Sequence, residues 1–203
     1  MTHVTSPGTI DHGRNRPRSE RRTRALDAFI DLTLERGAHP RPEEVAERAD
    51  VSIASLYRYF SDLDELRRDA VARLAERYPA LLTISRIGTG DRRTRIASFT
   101  TARLALHETL HPLELLARAA GRRDLSARRH VDAIRSAMSD QIRRHFDAEL
   151  QTLGPARRDD IVATIAALTS VEAWEQFRHS HDRTPAQTRR AWNDAIDRIL
   201  PVE

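Results

Sequence analysis

Apolar residues recur at helical spacing along most of the chain, and this spacing predicts an all-α fold. In the first such segment, Leu26, Phe29, Ile30, Thr33 and Leu34 occupy the positions that form one face of a helix. No segment alternates convincingly with the period of two that marks a half-buried strand. The 203 residues suffice for one good core or for one small and one medium domain, and two domains fit the sequence better. The absence of cysteine excludes disulfides, thiolate metal sites and a cysteine nucleophile.

The first 80 residues are expected to contain four helices, each with a recognisable end signal. Gly37 ends the first helix, and Pro42 stands where the first turn of the second helix tolerates it. Ser52 is a good N-cap for the third helix, while Ser61 and Asp62 form overlapping capping boxes for the fourth. These signals predict four successive helices, of which the second and third are short.

A tight connection joins the second and third helices. Asp50 lies in this turn and is one of the few non-glycine residue types that tolerate a left-handed backbone. The third helix, about residues 53 to 60, is expected to turn Leu56 and Phe60 inward and Tyr57 to the margin. Its predicted outward residues are Ile53, Ser55, Arg58 and Tyr59. Two short helices joined in this way describe a helix-turn-helix that binds DNA.

Residues about 22 to 78 resemble the DNA-binding domain of the tetracycline-repressor (TetR) family of bacterial transcriptional regulators. The most specific part is VSIASLYRYF, residues 51 to 60, followed by an acidic start of the fourth helix. The resemblance implies that Ile53, Ala54 and Ser55 face the major groove and that Arg58 lies along the duplex. Phosphate contacts are implied for Ser55, Tyr57 and Tyr59. The predicted DNA-binding set also includes Ser52, and the family usually has glycine where Asp50 stands.

Residues 1 to 18 are expected to form a flexible basic arm, because they combine proline, glycine and polar residues without an apolar period. Residues 1 to 24 carry six arginines and two acids, a net +4, whereas residues 25 to 80 carry eight arginines and twelve acids, a net −4. Phosphate attraction is therefore expected to come from Arg14, Arg16 and Arg18 of the arm. The alternative is a disordered tail that does not contact DNA.

The remaining chain, residues 81 to 203, is expected to be a helical effector-binding and dimerisation domain that follows the DNA-binding domain at residues 19 to 80. Helices are expected at about 91 to 110, 112 to 120, 125 to 153, 156 to 181 and 185 to 200, with breaks at Pro112, Gly121, Gly154-Pro155 and Pro185. The family resemblance also implies a ligand cavity among the middle helices. Plausible lining residues are Phe99, His107, Leu116, Met138, Ile142, Phe146 and Trp174, although each fits a plain core as well.

Two apolar surfaces near the C-terminus predict a homodimer. The segment from Ile161 to Val171 has no charge over three turns, and the last helix carries a second apolar stripe. In the resembled family, the two final helices pair with those of a second subunit. The predicted interface residues are Ile161, Ile165, Leu168, Trp192, Ile196 and Ile199. The alternative is a monomer that folds both faces into one core.

One motif argues for an enzyme instead. Residues 107 to 111 read HETLH, a match to the zinc-binding pattern H-E-x-x-H, in which Glu108 would act as the base of a zinc-dependent hydrolase. Pro112 follows at once and is expected to turn His111 away from the face of His107. We therefore expect no metal, no cofactor and no enzymatic activity.

The favoured function is a DNA-binding transcriptional regulator, a repressor that a small-molecule effector releases from a palindromic double-stranded DNA operator. No apolar run reaches the roughly 18 residues that a membrane span requires. The N-terminus also lacks the apolar segment of a signal peptide. A cytoplasmic protein without membrane association is therefore expected.

Overall fold

Helices dominate the computed structural model, which describes residues 17–122 and 124–201. No strand occurs in these residues, which confirms the all-α prediction, and none of their helices is long and apolar enough to cross a membrane. The helices are α1 (Arg18–Arg36), α2 (Pro42–Arg48), α3 (Ile53–Tyr59), α4 (Leu63–Arg77), α5 (Pro79–Leu82), α6 (Arg92–Gly121), α7 (Leu125–His145), α8 (Asp147–Leu150), α9 (Pro155–Leu168), α10 (Val171–Glu175), a π-helical turn (Gln176–Ser180) and α11 (Pro185–Ile199).

The end signals of the first four helices act as predicted. Gly37 ends α1 with a φ of 67°, and Pro42 is the first residue of α2. The Ser52 hydroxyl accepts a hydrogen bond from the Ser55 backbone N–H at 3.1 Å, and Asp62 caps α4 in the same way. Because these signals act within a few residues, the sequence determines where the helices begin and end.

The predicted break at Pro112 is wrong, since the proline lies inside α6, a continuous helix of 30 residues. A proline within a helix removes one backbone hydrogen bond and crowds the preceding turn. Leu110 and Leu113, on either side of the proline, are both buried against the N-terminal helices. We attribute the continuity of α6 to this packing, which holds both halves of the helix against one core.

Two other predicted helices are interrupted. The expected helix at 156 to 181 ends at Leu168, because Ser170 begins a new helix by accepting a hydrogen bond from the Ala173 backbone N–H at 3.2 Å. The expected helix at 125 to 153 likewise ends at His145 and is followed by the short α8. Both interruptions shorten helices that the apolar pattern alone would extend.

The core has two hydrophobic clusters, and α6 contributes to both. The first cluster joins α1 to α4 with Leu106, Leu110 and Leu113 of α6. The second contains Ile96 and Phe99 from the start of α6, together with residues of α7, α8, α9 and α11. Because one continuous helix is built into both clusters, a displacement of α6 must disturb the packing of each.

A buried polar network holds the start of α6 against α7 and α8. Arg95 pairs with Glu149, and these residues are 7% and 1% exposed. The Arg95 carbonyl accepts a hydrogen bond from His145 Nε2 at 2.8 Å, while His145 Nδ1 accepts one from the Gly88 N–H at 3.1 Å. Each His145 nitrogen therefore has the role it takes in the neutral ring with its proton on Nε2.

This arrangement predicts that acid destabilises the protein. Burial lowers the pKa of His145, so the folded state binds fewer protons than the unfolded state just below the ordinary histidine pKa. Stability should therefore fall as pH drops below ~6.5, by up to about 1.4 kcal/mol per pH unit for this group. Urea unfolding between pH 7.5 and 5.5 should show that the free energy of unfolding falls less in His145→Gln than in the wild type. Some dependence of stability on pH should remain in this variant, because burial also lowers the pKa of His39. If His145→Gln depends on pH as the wild type does, the role of His145 is contradicted.

Candidate DNA-binding surface and ligand cavity

The outward face of α3 and its cap presents apolar, aromatic and polar side chains to solvent. Ile53 is 36% exposed and Tyr57 is 51% exposed. Within the described residues, the only other large apolar side chain with such exposure is Leu125. Ser52, Ala54 and Arg58 are exposed on the same helix, and Ser55 is half-buried. This face has the shape and chemistry to enter a groove of DNA.

The opposite face of α3 anchors the helix, and it includes one residue that was predicted to face outward. Leu56, Phe60 and Tyr59 are all buried. Tyr59 lies three positions after Leu56, so the same helical face carries both side chains. Although burial raises the pKa of Tyr59, hydrogen bonds from Arg58 and Arg21 lower it overall. Tyr59 is therefore a structural anchor, and the expectation that its side chain is available to DNA is wrong.

Short polar contacts connect the residues of this face. The Ser52 and Ser55 hydroxyl oxygens lie 2.9 Å apart, and Arg58 Nη2 donates to the Ser55 hydroxyl at 3.1 Å. Arg18 Nη2 donates to the Arg58 carbonyl at 3.0 Å. Hydroxyls and guanidinium groups of this kind are the usual protein partners of DNA phosphates.

The predicted arm is only partly described by the structure. Arg18 is the first residue of α1, so it belongs to a helix and not to the arm in which it was placed. Arg14 and Arg16 lie outside the described residues. Their contact with DNA stays a prediction.

The turn between α2 and α3 is held by a residue that sequence reasoning missed. Asp50 has a φ of 53°, the left-handed conformation that was predicted for it. Arg24 Nη2 donates to the Asp50 carbonyl at 3.1 Å and also to the Ala49 carbonyl. No local sequence pattern indicates this contact, because Arg24 lies on α1 and contacts the turn only when the helices are packed.

A cavity of about 460 Å³ lies between α6, α7, α9 and α10. Of the seven residues predicted to line a ligand cavity, His107, Met138 and Ile142 line this one. Leu116 lines a second cavity of about 240 Å³, between α4, α6 and α7 beside α1. Phe99, Phe146 and Trp174 line neither cavity and are buried core residues. The larger volume is within the roughly 300 to 1,000 Å³ of small-molecule sites.

The larger cavity also has charged lining residues, which were not among those predicted from the sequence. They are Arg103, Glu114, Arg118, Arg135 and Glu172. Arg103 stands on the inward stripe of α6, seven residues after Ile96 and four before His107, both buried. A charged residue at a position where helical spacing predicts an apolar one is the signal that was available.

Most of the predicted dimer-interface residues are buried within their own chain. Ile161, Ile165, Trp192 and Ile196 are each at most 3% exposed, so they are unavailable to a second subunit and that expectation is corrected. The surface of α9 shows Ala163, Thr164 and Ala167 instead. On α11, a half-exposed stripe of Ala191, Ala195 and Ile199 runs beside the buried one, and Leu168 on α9 is also half-buried.

Comparison with known proteins gives the family. No family model matches the sequence. The HTH-type transcriptional repressor KstR of Mycolicibacterium smegmatis is 32% identical over 147 residues, which cover 71% of each chain. The chain belongs to the TetR family of transcriptional regulators.

Solved structures agree with the fold of a TetR-family regulator. A tetR-family transcriptional regulator from Streptomyces coelicolor aligns with a TM-score of 0.74 and 20% identity, over 89% of this chain and 80% of its own. A putative transcriptional regulator from Pseudomonas aeruginosa PAO1 aligns with a TM-score of 0.65 and 18% identity, over 93% and 95% of the two chains. At these identities the likeness concerns the fold alone.

In this TetR-family regulator, the residues of the HETLH motif have structural partners. His107 Nε2 lies 3.0 Å from the Thr169 carbonyl, and its Nδ1 lies 2.9 Å from Glu114. Glu108 accepts hydrogen bonds from Trp174 Nε1 at 3.0 Å and from Arg178 Nε at 2.7 Å. Within residues 17–122 and 124–201, no three His, Asp or Glu side chains are grouped to hold a metal ion.

His111 does not leave the helix before Pro112, so the predicted turn of His111 away from the face of His107 is wrong. His111 remains in α6, with Nε2 lying 3.2 Å from Glu175. The motif therefore connects α6 to α10 and the loop before it, and the relative KstR is a transcriptional repressor.

Proposed function

We propose that this TetR-family protein is a repressor that binds a palindromic DNA operator as a homodimer and releases it when a small molecule occupies the larger cavity. Residues 19 to 80 form the DNA-binding part in this proposal, and residues 81 to 203 bind the effector and the second subunit. α3 enters the major groove of each half-site. No cofactor is required.

The observation that carries the proposal is the exposed pair of Ile53 and Tyr57 on a helix that is otherwise well anchored. Leaving two large apolar groups in water is unfavourable unless they meet a partner. Ile53 suits contact with a thymine methyl group, and the Tyr57 hydroxyl suits a phosphate. Ser52 and Arg58, beside them, supply further hydrogen-bond donors.

The coupling between cavity and DNA is supported by α6. Arg103, His107 and Glu114 of this helix line the cavity, while Leu106, Leu110 and Leu113 pack in the N-terminal cluster. A ligand that binds better when α6 is displaced would also move the cluster that supports α3. The two α3 helices would then no longer match half-sites about 34 Å apart, and operator affinity would fall.

The surface of α9 and α11 supports the dimer. Ala163 and Ala167 on α9, with Ala191 and Ala195 on α11, are small side chains that let another helix approach closely. Ile199 and Leu168 add apolar area at the ends of this surface. In a symmetric dimer the same residues of both subunits contribute to the interface, so a modest patch on each chain buries twice its own area.

Two tyrosines on one helix give the test of the DNA-binding face. Operator DNA is first selected from a random pool with the full chain. Tyr57→Phe should then weaken binding by about 1 kcal/mol per protomer, because one phosphate hydrogen bond is lost, and should leave thermal stability unchanged. Fluorescence anisotropy with labelled operator measures the first effect.

Tyr59→Phe is the matched control. It should lower the free energy of unfolding by about 1 kcal/mol, because a buried hydroxyl loses its arginine partners. Its operator affinity at low temperature, where the protein is folded, should stay close to wild type. If Tyr57→Phe binds DNA as wild type does, α3 is not the recognition helix in the orientation proposed.

A further inference from the structure

Arg103 places a buried positive charge at the wall of the larger cavity. Its side chain belongs to α6, is 3% exposed, and has its guanidinium carbon 5.2 Å from the centre of the Phe99 ring. Nη2 donates to the Met138 carbonyl at 3.1 Å. Burial lowers the pKa of Arg103 to about 10, against the opposite effect of Glu114, so the group stays charged at neutral pH.

The other arginines of this region have carboxylate partners. Arg95, two turns earlier on α6, is buried against Glu149. Arg118 lies 2.9 Å from Glu175, and Arg135 lies 2.8 Å from Glu172. For Arg103, no carboxylate oxygen in the described part of the chain comes within 4 Å. A buried charge without a partner is costly, because it has lost its hydration and gained no opposite charge.

Of the two acids that line the cavity, Glu114 lies on the same helix as Arg103, and its carboxylate is already engaged. Both of its carboxylate oxygens lie 2.9 Å from His107 Nδ1, while His107 Nε2 faces the Thr169 carbonyl at 3.0 Å. The Glu114 carboxylate is therefore already paired with His107. It makes no ion pair with Arg103 within 4 Å, so the buried guanidinium has no direct carboxylate partner.

We propose that the effector is a small apolar acid whose anionic group, a carboxylate or a similar monoanion, pairs with Arg103. This inference rests on the proposed role of the cavity as the effector site. The wall around Arg103 suits an apolar body, since it includes Ala117, Val131, Ile134, Ile142 and Ala166. The anion restores the missing charge partner, and the planar guanidinium offers it two parallel N–H groups. Neutral molecules of the same shape lack this gain and bind more weakly.

Two fluorescent probes with the same aromatic body test the charge preference directly. 8-Anilinonaphthalene-1-sulfonate is an anion, and N-phenyl-1-naphthylamine is its neutral counterpart. Titration of the full-length protein should give tighter binding of the sulfonate. Arg103→Met, which keeps the length but not the charge, should weaken sulfonate binding by roughly 10- to 100-fold and leave the neutral probe unchanged. Arg103→Lys should keep most of the preference.

Matched variants test whether sulfonate binding depends on Arg103 and takes place in this cavity. Arg118→Met removes an arginine of the same helix and cavity that already has Glu175, so it should reduce sulfonate binding much less than Arg103→Met. Ala166→Trp, which fills the cavity, should weaken both probes. Unliganded Arg103→Met should be at least as stable as wild type, because an unpaired buried charge has been replaced by an apolar side chain.

The outcomes distinguish a failure of the anionic effector class from a failure of the cavity as the effector site. Equal affinity of the two probes for wild type, or sulfonate binding that is unchanged in Arg103→Met, would overturn the anionic effector class and leave the cavity as an effector site. Sulfonate binding that survives Ala166→Trp unchanged would also overturn it. Failure of both probes to bind would contradict the effector cavity itself.

Discussion

Replacing Glu149 with glutamine should destabilise the protein by roughly 3 to 5 kcal/mol, the usual cost of removing one partner from a buried ion pair. Glu149 is 1% exposed, and its partner Arg95 is 7% exposed. Glutamine has nearly the same shape, so packing is retained while the negative charge is lost. Arg95 would then remain buried without an opposite charge. Because folded domains are stable by about 5 to 15 kcal/mol, a loss of this size removes a large part of the total.

Urea unfolding followed by circular dichroism measures this loss, and the same helix supplies a control. Arg92 Nε lies 2.8 Å from Asp197, whose side chain is 62% exposed. Asp197→Asn should cost only about 0 to 1 kcal/mol, since solvent screens an exposed pair and hydrates the remaining charge. Similar losses in the two variants would contradict the assignment of Arg95 and Glu149 as a buried, mutually dependent pair.

The contrast with Arg103 follows from the same physics. Arg95→Met should be destabilising, because it leaves Glu149 buried and unpaired, whereas Arg103→Met should not be. Both arginines lie on the buried side of α6 and differ mainly in whether the chain provides a carboxylate. In our proposal, Arg95 stabilises the fold through its pair with Glu149, whereas Arg103 pairs with a ligand.

The sequence predicted those features that depend on near neighbours. Gly37, Pro42, Asp50 and Ser52 each act within one helical turn, and each was placed correctly with its conformation or its cap. Helical spacing likewise identified the inward face of α1. Local signals of this kind are readable because their physical cause lies in the same few residues.

The features that were missed depend on residues far apart in the chain. The hydroxyl of buried Tyr59 has a hydrogen-bond partner in Arg21 of α1, and Arg24 of the same helix reaches the α2–α3 turn. Pro112 fails to end α6 because Leu110 and Leu113 pack on the N-terminal core. Arg103 was overlooked because the charge balance of a cavity depends on four helices at once. These features follow from the packing of helices, which the spacing of residues along the sequence does not reveal.

Packing also changes what is expected of the last helix. The apolar stripe of α11 was interpreted as a dimer surface, but Trp192 and Ile196 are fully buried in their own chain. The adjacent stripe of Ala191, Ala195 and Ile199 is half-exposed and is the surface available to a partner. Ala195 and Ile196 are therefore neighbours in sequence with different predicted roles, which makes them a matched pair.

Ala195→Arg should give a folded monomer that binds the operator much more weakly. Arginine is a good helix former, so the substitution costs the helix little. In a symmetric dimer, however, the change places two bulky charges in one apolar interface, where they have neither water nor a partner. A dimer binds two half-sites at once, whereas a monomer binds only one. Operator affinity should therefore fall by at least ~100-fold. Sedimentation equilibrium and anisotropy measure the two effects.

Ile196→Arg is the companion variant, and it should unfold the protein instead of separating subunits. Ile196 is 0% exposed and belongs to the second hydrophobic cluster, so an arginine there overfills the core and buries an unpaired charge. Its circular dichroism should show lost helix at temperatures where Ala195→Arg is fully helical. A folded, monomeric Ile196→Arg would restore the original interpretation of that stripe as the interface. An Ala195→Arg variant that stays dimeric would exclude the α11 surface proposed here, because a charge at its centre would then lie in solvent.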